Sequence, residues 1–228
     1  MKTTDIIHFL SELKDNNNRE WFALNKERYE ETRKHFEKIS SDIAFKISQF
    51  DDEIKHVDIK ECIFRIYRDT RFSHDKTPYK THYGVFIAAG GGRKSVRGGY
   101  YIHFEPGASF IAVGVWCPPP ELLKALRETI YENIEELKEI IEDKSFVQHF
   151  KTFYDEDKLK TAPKGFPKDF PDIELLKLKH YMVECKLTDD MFMDENISDK
   201  IVDILQIAYP LNKFLNYTVD ETPLNPKK

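Results

Sequence analysis

The chain has 228 residues, of which 40% are hydrophobic and 33% charged, a composition typical of a soluble globular protein. Its longest apolar run, 110–117, is far shorter than the about 20 residues that span a membrane, and no signal peptide precedes it. The three cysteines lie far apart in the sequence, which argues against a disulfide framework or a Cys-x-x-Cys zinc site. We therefore expect a cytoplasmic protein with no membrane partner.

The formal net charge of −5 hides an uneven distribution. The segment 65–104 contains eight basic and two acidic residues, a charge of +6, whereas the rest of the chain contains 27 basic and 38 acidic residues, a charge of −11. Such segregation predicts a local positive field on an acidic protein. A solvated basic face is the alternative interpretation of the same pattern.

The N-terminal third has helical periodicity. Apolar residues at helical spacing predict a short helix from Thr4 to Lys14. The run 15–18 then interrupts the pattern, and its three asparagines favour a turn and an N-cap. An apolar stripe over the next thirty residues predicts one long amphipathic helix over 19–49, with its apolar side on a sheet.

The middle of the chain contains short strand-like apolar runs separated by turn signals. The predicted strands are 63–67, 83–89, 100–104 and 110–116. Short turns between them imply an antiparallel meander. Glycines on both sides of Arg93 and Lys94 predict a mobile hairpin tip, and the polar segment 69–82, which Pro78 interrupts, predicts a structured loop.

The C-terminal half returns to helical periodicity. The predicted elements are helices over 120–142, 145–153, 172–178 and 198–215, the last capped by Ser198, and a strand over 180–187. The fold class predicted is α+β: an antiparallel meander of about four to six strands packed with several helices. We expect a single domain over 1–218 and a frayed tail over 219–228.

Four segments together resemble a family found in bacteria and fungi, the domain of unknown function 2461. These segments are 65–82 (RIYRDTRFSHDKTPYKTH), 99–107 (GYYIHFEPG), 114–119 (GVWCPP) and 163–166 (PKGF). They occur in the expected order and cover nearly the whole chain. The resemblance implies one cytosolic domain and draws attention to the first segment, but it implies no activity.

The same segment has the composition of an anion site. Its guanidinium groups offer planar forks of donors for phosphate or carboxylate, and its hydroxyl and aromatic groups can bond or stack on a ligand. The predicted ligand-binding residues are Arg65, Arg68, Arg71, Ser73, Lys76, Tyr79, Lys80, His82 and Arg97. The alternative is an ion-pair network in which Asp69 and Asp75 neutralise two of the five cations at 65–80, leaving about three unpaired.

A reaction at this site would need an acid or a base. The candidates are His82 and His103, with Asp69 or Asp75 to orient one of them. His103 shares its strand face with Tyr101 and is thereby able to face the loop. We expect no metal and no cofactor, because the spacing of His74, Asp75 and His82 matches no motif with known mechanics and nearby cations repel a divalent ion. The sequence leaves open whether any reaction is catalysed.

Three functions compete at this stage. The first is binding of an anionic small molecule, phosphorylated or a nucleotide, with or without catalysis. The second is a nucleic-acid-binding module in which Arg93, Lys94 and Arg97 extend the basic track. The third is a scaffold in which the loop only ties strands to helices. The mixture of hydroxyl groups and a Pro-Tyr turn with the cations favours the first.

Overall fold

A computed structural model describes residues 2–223. Within these residues there are ten α-helices and four strands, and about half of the chain is helical. The helices are α1 Thr3–Asp15, α2 Arg19–Leu24, α3 Lys26–Ile47, α4 Ile59–Cys62, α5 Pro120–Glu132, α6 Ile134–Ile141, α7 Lys144–His149, α8 Ile173–Leu176, α9 Ile197–Ile207 and α10 Tyr209–Glu221. The strands are β1 Tyr83–Ile87, β2 Gly99–Phe104, β3 Phe110–Val115 and β4 Tyr181–Lys186. Short 3-10 turns cover Asp52–Ile54, Gly92–Lys94 and Asp189–Met193.

The strands form one antiparallel sheet in the order β1-β2-β3-β4. Each strand pairs with its neighbour along the chain, as a meander requires. The predicted α+β class and the meander are confirmed.

The chain divides into two compact units. The first contains the residues up to Lys94 together with Tyr101–Ile111 and Lys186–Asp203, and the second contains Ser95–Tyr100, Ala112–Cys185 and the residues from Ile204 onward. The single domain predicted over 1–218 stays a prediction. The predicted tail begins inside a helix, because α10 continues to Glu221, and the last five tail residues lie outside the described residues.

The core of the first unit lies between its helices and one face of β1 and β2. Phe36 of α3 packs against Phe104 of β2 with ring centroids 5.3 Å apart, and the hydroxyls of Thr32 and Tyr83 are 2.9 Å apart. Ile102 and Phe104 are fully buried. Because side chains alternate along a strand, Tyr101, His103 and the following Glu105 lie on the opposite face of the sheet.

In the second unit α10 packs against α5 and α6. Leu126 and Leu215 are buried there, and the hydroxyl of the fully buried Tyr181 donates to the carbonyl of Leu175 at 3.1 Å. Burial raises the pKa of Tyr181. This tyrosine therefore stays a neutral donor inside the core.

Three long helices predicted from periodicity are each two helices. The helix predicted over 19–49 breaks at Asn25, the one over 120–142 at Asn133, and the one over 198–215 at Ala208. The amides of Asn25 and Asn133 each donate to the carbonyl four residues earlier at 2.9 Å, which ends a helix locally. The third break precedes Pro210, which has no N–H to continue the ladder.

Two other local predictions were wrong. Ser198 lies inside α9, which begins at Ile197, so it is not the cap. The predicted strand 63–67 is an extended segment with two isolated bridges, Ile63 to Val85 and Tyr67 to Tyr79. The chain leaves the sheet edge between these bridges, so no continuous ladder forms.

Candidate functional site

The basic loop, residues 65–82, is closed at its base by backbone hydrogen bonds. The Arg68 N–H donates to the Pro78 carbonyl at 3.0 Å, and the Lys80 N–H donates to the Ile66 carbonyl at 2.8 Å. The side-chain amide of Asn17, in the turn before α2, bonds both the carbonyl and the N–H of Tyr79, at 3.0 and 3.1 Å. The asparagine turn at the N-terminus therefore holds the base of the loop in place.

Two of the predicted ligand-binding arginines pair with the loop's own acids. Arg68 contacts Asp75 at 2.5 Å and also donates to the Thr77 hydroxyl. Arg71 forms a forked pair with Asp69, the shorter contact being 2.7 Å. A bond from the Thr77 N–H, followed by that from Arg68, lowers the pKa of Asp75 to about 2. Among the described residues, Asp69 and Asp75 therefore bond these arginines rather than a histidine.

Other predicted ligand residues have structural contacts. The ring of Tyr79 stacks on Phe22 with centroids 3.9 Å apart and is buried. The Ser73 N–H closes a turn on the Thr70 carbonyl. Arg97 belongs to the second unit, where it pairs with Asp220. Tyr79 is therefore a core residue rather than a platform for a ligand ring.

Three loop cations have no carboxylate partner among the residues that the structure describes: Arg65, Lys76 and Lys80. Lys76 donates to the Thr70 carbonyl at 2.9 Å, and Arg65 is exposed. The half-buried ammonium of Lys80 lies 5.2 Å from the centre of the Phe64 ring. Burial, and then the nearby Arg65 guanidinium, lower the pKa of Lys80. Local charge balance therefore leaves the surplus of about three that the sequence predicts.

A chain of polar contacts lies beside this surplus on the outer face of β2. The Tyr101 hydroxyl is 2.9 Å from His103 Nδ1, and His103 Nε2 is 3.0 Å from Glu105 Oε2. The Thr81 hydroxyl donates to Glu105 Oε1 at 2.7 Å. The rings of His82 and His103 lie 4.2 Å apart. We call these five residues, Thr81, His82, Tyr101, His103 and Glu105, the outer-face cluster.

Burial sets the protonation of the outer-face cluster. It lowers the pKa of His82 to about 4, with the His103 ring adding to the effect. It also lowers the pKa of His103, against the bond to Glu105 that acts in the other direction. Burial opposes ionisation of Glu105, but bonds to His103 and Thr81 outweigh it and lower its pKa. At neutral pH the cluster has two neutral imidazoles and one carboxylate.

The strands explain why these residues meet. Tyr101, His103 and Glu105 follow each other with period two, and His82 directly precedes the neighbouring strand β1. A Cβ at Gly84 of β1 would lie 2.8 Å from the Tyr101 hydroxyl, so a larger residue there would displace that ring. On the other side, Phe110 of β3 stacks on His103 at 4.7 Å.

Sequence reasoning identified both histidines of this cluster and missed three of its members. Glu105, Thr81 and Tyr101 were not among the predicted site residues. The period-two pattern on β2 was the available signal, because it predicts that Glu105 shares a face with His103. Thr81 has no comparable signal, since it lies in a loop.

The predicted hairpin tip is anchored. Gly92–Lys94 forms a 3-10 turn, and the Arg93 guanidinium donates to the carbonyls of Glu61 and Ile63 at 2.9 and 3.1 Å. Arg93 therefore satisfies backbone acceptors at the end of α4.

A second aromatic and polar group lies in the second unit, around the GVWCPP segment. Trp116 stacks on His180 at 4.0 Å, and His180 lies 3.2 Å from Asp157. His180 Nδ1 accepts the N–H of Cys117, the one non-glycine residue in the described chain with a positive φ, 49°. These bonds support the backbone turn that begins the proline run.

Among the residues that the structure describes, no helix combines the length and apolar character needed to cross a membrane.

The chain was compared with curated proteins, solved structures and protein families. No curated protein and no solved structure matches the chain. Residues 5–214 match the family described as conserved hypothetical protein (DUF2461). This match spans nearly the whole chain, and the protein belongs to that family.

Proposed function

We propose that this protein binds an anionic, phosphorylated small molecule or nucleotide where the basic loop meets the outer-face cluster. The observation that carries the proposal is the pair Arg65 and Lys80, two neighbouring cations without a carboxylate partner in the described chain. Partly burying unpaired positive charge is unfavourable, and a bound anion removes the cost. Arg65 supplies a planar fork and Lys80 a compact charge, a combination suited to phosphate.

The role of Lys80 follows from its surroundings. Its ammonium lies over an aromatic ring, which stabilises a cation but does not neutralise it. Glu105, the carboxylate of the neighbouring cluster, already accepts a bond on each oxygen, from Thr81 and from His103. A ligand oxygen is therefore the partner that completes the site. Lys76, which bonds a carbonyl of the loop, is placed to stabilise the loop conformation.

The outer-face cluster offers acid–base chemistry to such a ligand. A neutral imidazole that a carboxylate orients on one nitrogen is able to exchange a proton on the other. In His103 the second nitrogen, Nδ1, lies 2.9 Å from the Tyr101 hydroxyl, and the His82 ring packs against the His103 ring. His103 and His82 are the residues on which catalysis would depend, whereas Asp69 and Asp75 pair with arginines of the basic loop.

The contacts of the basic side chains make the nucleic-acid alternative weaker than the small-anion proposal. A basic track needs cations free to contact successive phosphates. Arg93 donates to backbone carbonyls and Arg97 pairs with Asp220, so two of the three cations predicted to extend the basic track already have partners. A net charge of −5 also disfavours an extended polyanion.

Removal of either unpaired cation tests the proposal. We expect inorganic phosphate, pyrophosphate or a nucleoside phosphate to raise the melting temperature of the wild type. Lys80→Gln and Arg65→Gln should each weaken binding about ten- to a hundredfold, since a hydrogen bond to a charged group contributes about 1.5–3 kcal/mol. Isothermal titration calorimetry gives the dissociation constants.

Lys34→Gln is the matched control, because Lys34 is an exposed lysine of α3 in the same unit. It should bind as the wild type does. If no anion binds, or if both loop variants bind with unchanged affinity while their melting temperatures fall, the loop is a scaffold and the proposal is wrong.

A further inference from the structure

Three side chains of the outer-face cluster meet at one point. His82, His103 and Glu105 each offer a ligand atom, and these atoms all lie within 4.8 Å of one another. We propose that these three residues bind a divalent transition-metal ion. The inference rests on the geometry of the cluster and holds whether or not an anion binds at Arg65 and Lys80.

The donor set selects the class of metal. Two imidazole nitrogens and one carboxylate oxygen suit Zn²⁺, Fe²⁺, Co²⁺ or Mn²⁺, whereas Mg²⁺ and Ca²⁺ prefer sites made of oxygen alone. Three protein ligands also leave positions open for water or substrate, which is the pattern of catalytic rather than structural zinc sites.

Two of the three proposed ligands have outer partners of the kind that orient metal ligands. Glu105 Oε1 accepts from the Thr81 hydroxyl at 2.7 Å, so an ion would bind at Oε2 and replace the hydrogen bond between Oε2 and His103 Nε2. His103 Nδ1 lies 2.9 Å from the Tyr101 hydroxyl, which fixes the ring with Nε2 toward Glu105. Such second contacts hold ligands in place and raise metal affinity.

The third ligand, His82, is free to accept an ion. Among the described residues, its ring nitrogens have no hydrogen-bond partner, and the ring is held by its contact with His103 at 4.2 Å. His82 directly precedes β1, and His103 is in β2, only 7% exposed. Rigid strands therefore set the spacing of the donors.

Two of the five loop cations that the sequence leads us to expect to repel a divalent ion are paired with acids. Arg68 and Arg71 are neutralised by Asp75 and Asp69 and are directed to those acids. Of the three loop cations without a carboxylate partner in the described chain, Arg65, Lys76 and Lys80, Lys80 is the one that acts on His82 and His103 and so opposes metal binding. The Glu105 carboxylate is the local charge that favours it.

The contact of His103 with Glu105 has a second explanation. At 3.0 Å it is also an ordinary hydrogen bond in a polar network that needs no ion. The two explanations differ over His82. This residue takes no part in that hydrogen bond, whereas in a metal site it supplies one ligand. Metal binding by a His82 variant therefore distinguishes them.

The test is metal binding by the full chain. Protein stripped with a chelator is titrated with Zn²⁺ and Co²⁺ in phosphate-free buffer, and bound metal is counted after dialysis. We expect one ion per chain and a visible Co²⁺ absorption band. His82→Ala and Glu105→Gln should each weaken binding at least tenfold, and Thr81→Val about ten- to a hundredfold through the outer contact.

Two controls keep the result specific. His74→Ala, which removes an exposed histidine of the same loop, should bind metal as the wild type does. Lys80→Gln should retain the metal while binding the anion more weakly, so failure of the anion proposal leaves the metal proposal testable. Less than one ion per chain, or full affinity in folded His82→Ala and Glu105→Gln, would overturn the metal site and leave a hydrogen-bonded network.

Discussion

Asn17 is a single side chain that connects the N-terminal turn to the basic loop. Its amide bonds both backbone groups of Tyr79, whose ring stacks on Phe22 of α2. The neighbouring Asn16 makes only a local bond, to the carbonyl of Glu12 at the end of α1. Two residues of the same type therefore have different roles, one for the loop and one for a helix end.

Replacing these asparagines tests the difference. Asn17→Ala should lower the free energy of unfolding by about 1–3 kcal/mol, because it leaves two part-buried backbone groups unbonded. Asn16→Ala, the matched control, should cost about 0.5 kcal/mol or less, since its bond is local and exposed. Urea unfolding measures both. Equal costs for the two variants would contradict the role assigned to Asn17.

At the scale of single elements, β3 has a glycine that no other residue can replace. Gly114 has a φ of 128°, and a Cβ there would lie 2.1 Å from the Tyr181 carbonyl oxygen. Both the backbone conformation and the close approach of β4 exclude a side chain. The glycine also begins the GVWCPP segment, so its place in the family motif has a packing reason.

A pair of glycine variants separates conformation from contact. Gly114→Ala should destabilise the protein by about 3 kcal/mol or more, through strain and a backbone clash. Gly165 has a φ of 98° with nothing within 4 Å of its Cβ position, so Gly165→Ala should cost only about 1 kcal/mol. Thermal melts of the two variants give the comparison. A Gly114→Ala protein as stable as Gly165→Ala would mean that β3 and β4 separate easily.

At the scale of the whole molecule, charge is segregated along the chain. The +6 of segment 65–104 already subtracts Asp69 and Asp75, which pair with Arg71 and Arg68, and only Asp220 is added from outside the segment, as the partner of Arg97 in the described chain. The rest of the chain is strongly acidic. A long-range field of this kind attracts small anions to one place and repels extended polyanions elsewhere.

Salt dependence measures which ligand the molecule accepts. With two unpaired cations, a tenfold increase in salt should weaken binding of a phosphorylated small molecule by no more than about a hundredfold. A short oligonucleotide should bind more weakly than a nucleoside phosphate at every salt concentration. For the oligonucleotide, a slope of about four or more in the plot of the logarithm of the dissociation constant against the logarithm of salt concentration would instead indicate a nucleic-acid track. Fluorescence anisotropy at several salt concentrations provides the data.

Much of the fold was predictable because it depends on local periodicity. Helical spacing located α1, and short apolar runs between turn signals located β1 to β4 with boundaries within a few residues. The period of two along a strand placed His103 and Tyr101 on one face. Where periodicity continued through Asn25 and Asn133, it gave one helix instead of two, because a single side-chain bond to the backbone ends a helix without altering the apolar pattern.

The sequence by itself determined the α+β class, the surplus of positive charge and the face on which His103 lies, since composition and local spacing encode these directly. Only the tertiary structure decided that Asp75 pairs with Arg68, that Tyr79 belongs to the core, and that Glu105 joins His82 beside β1. These contacts join side chains that no local period relates. Their partners depend on how the chain folds back on itself, and that path is set by packing of the whole core.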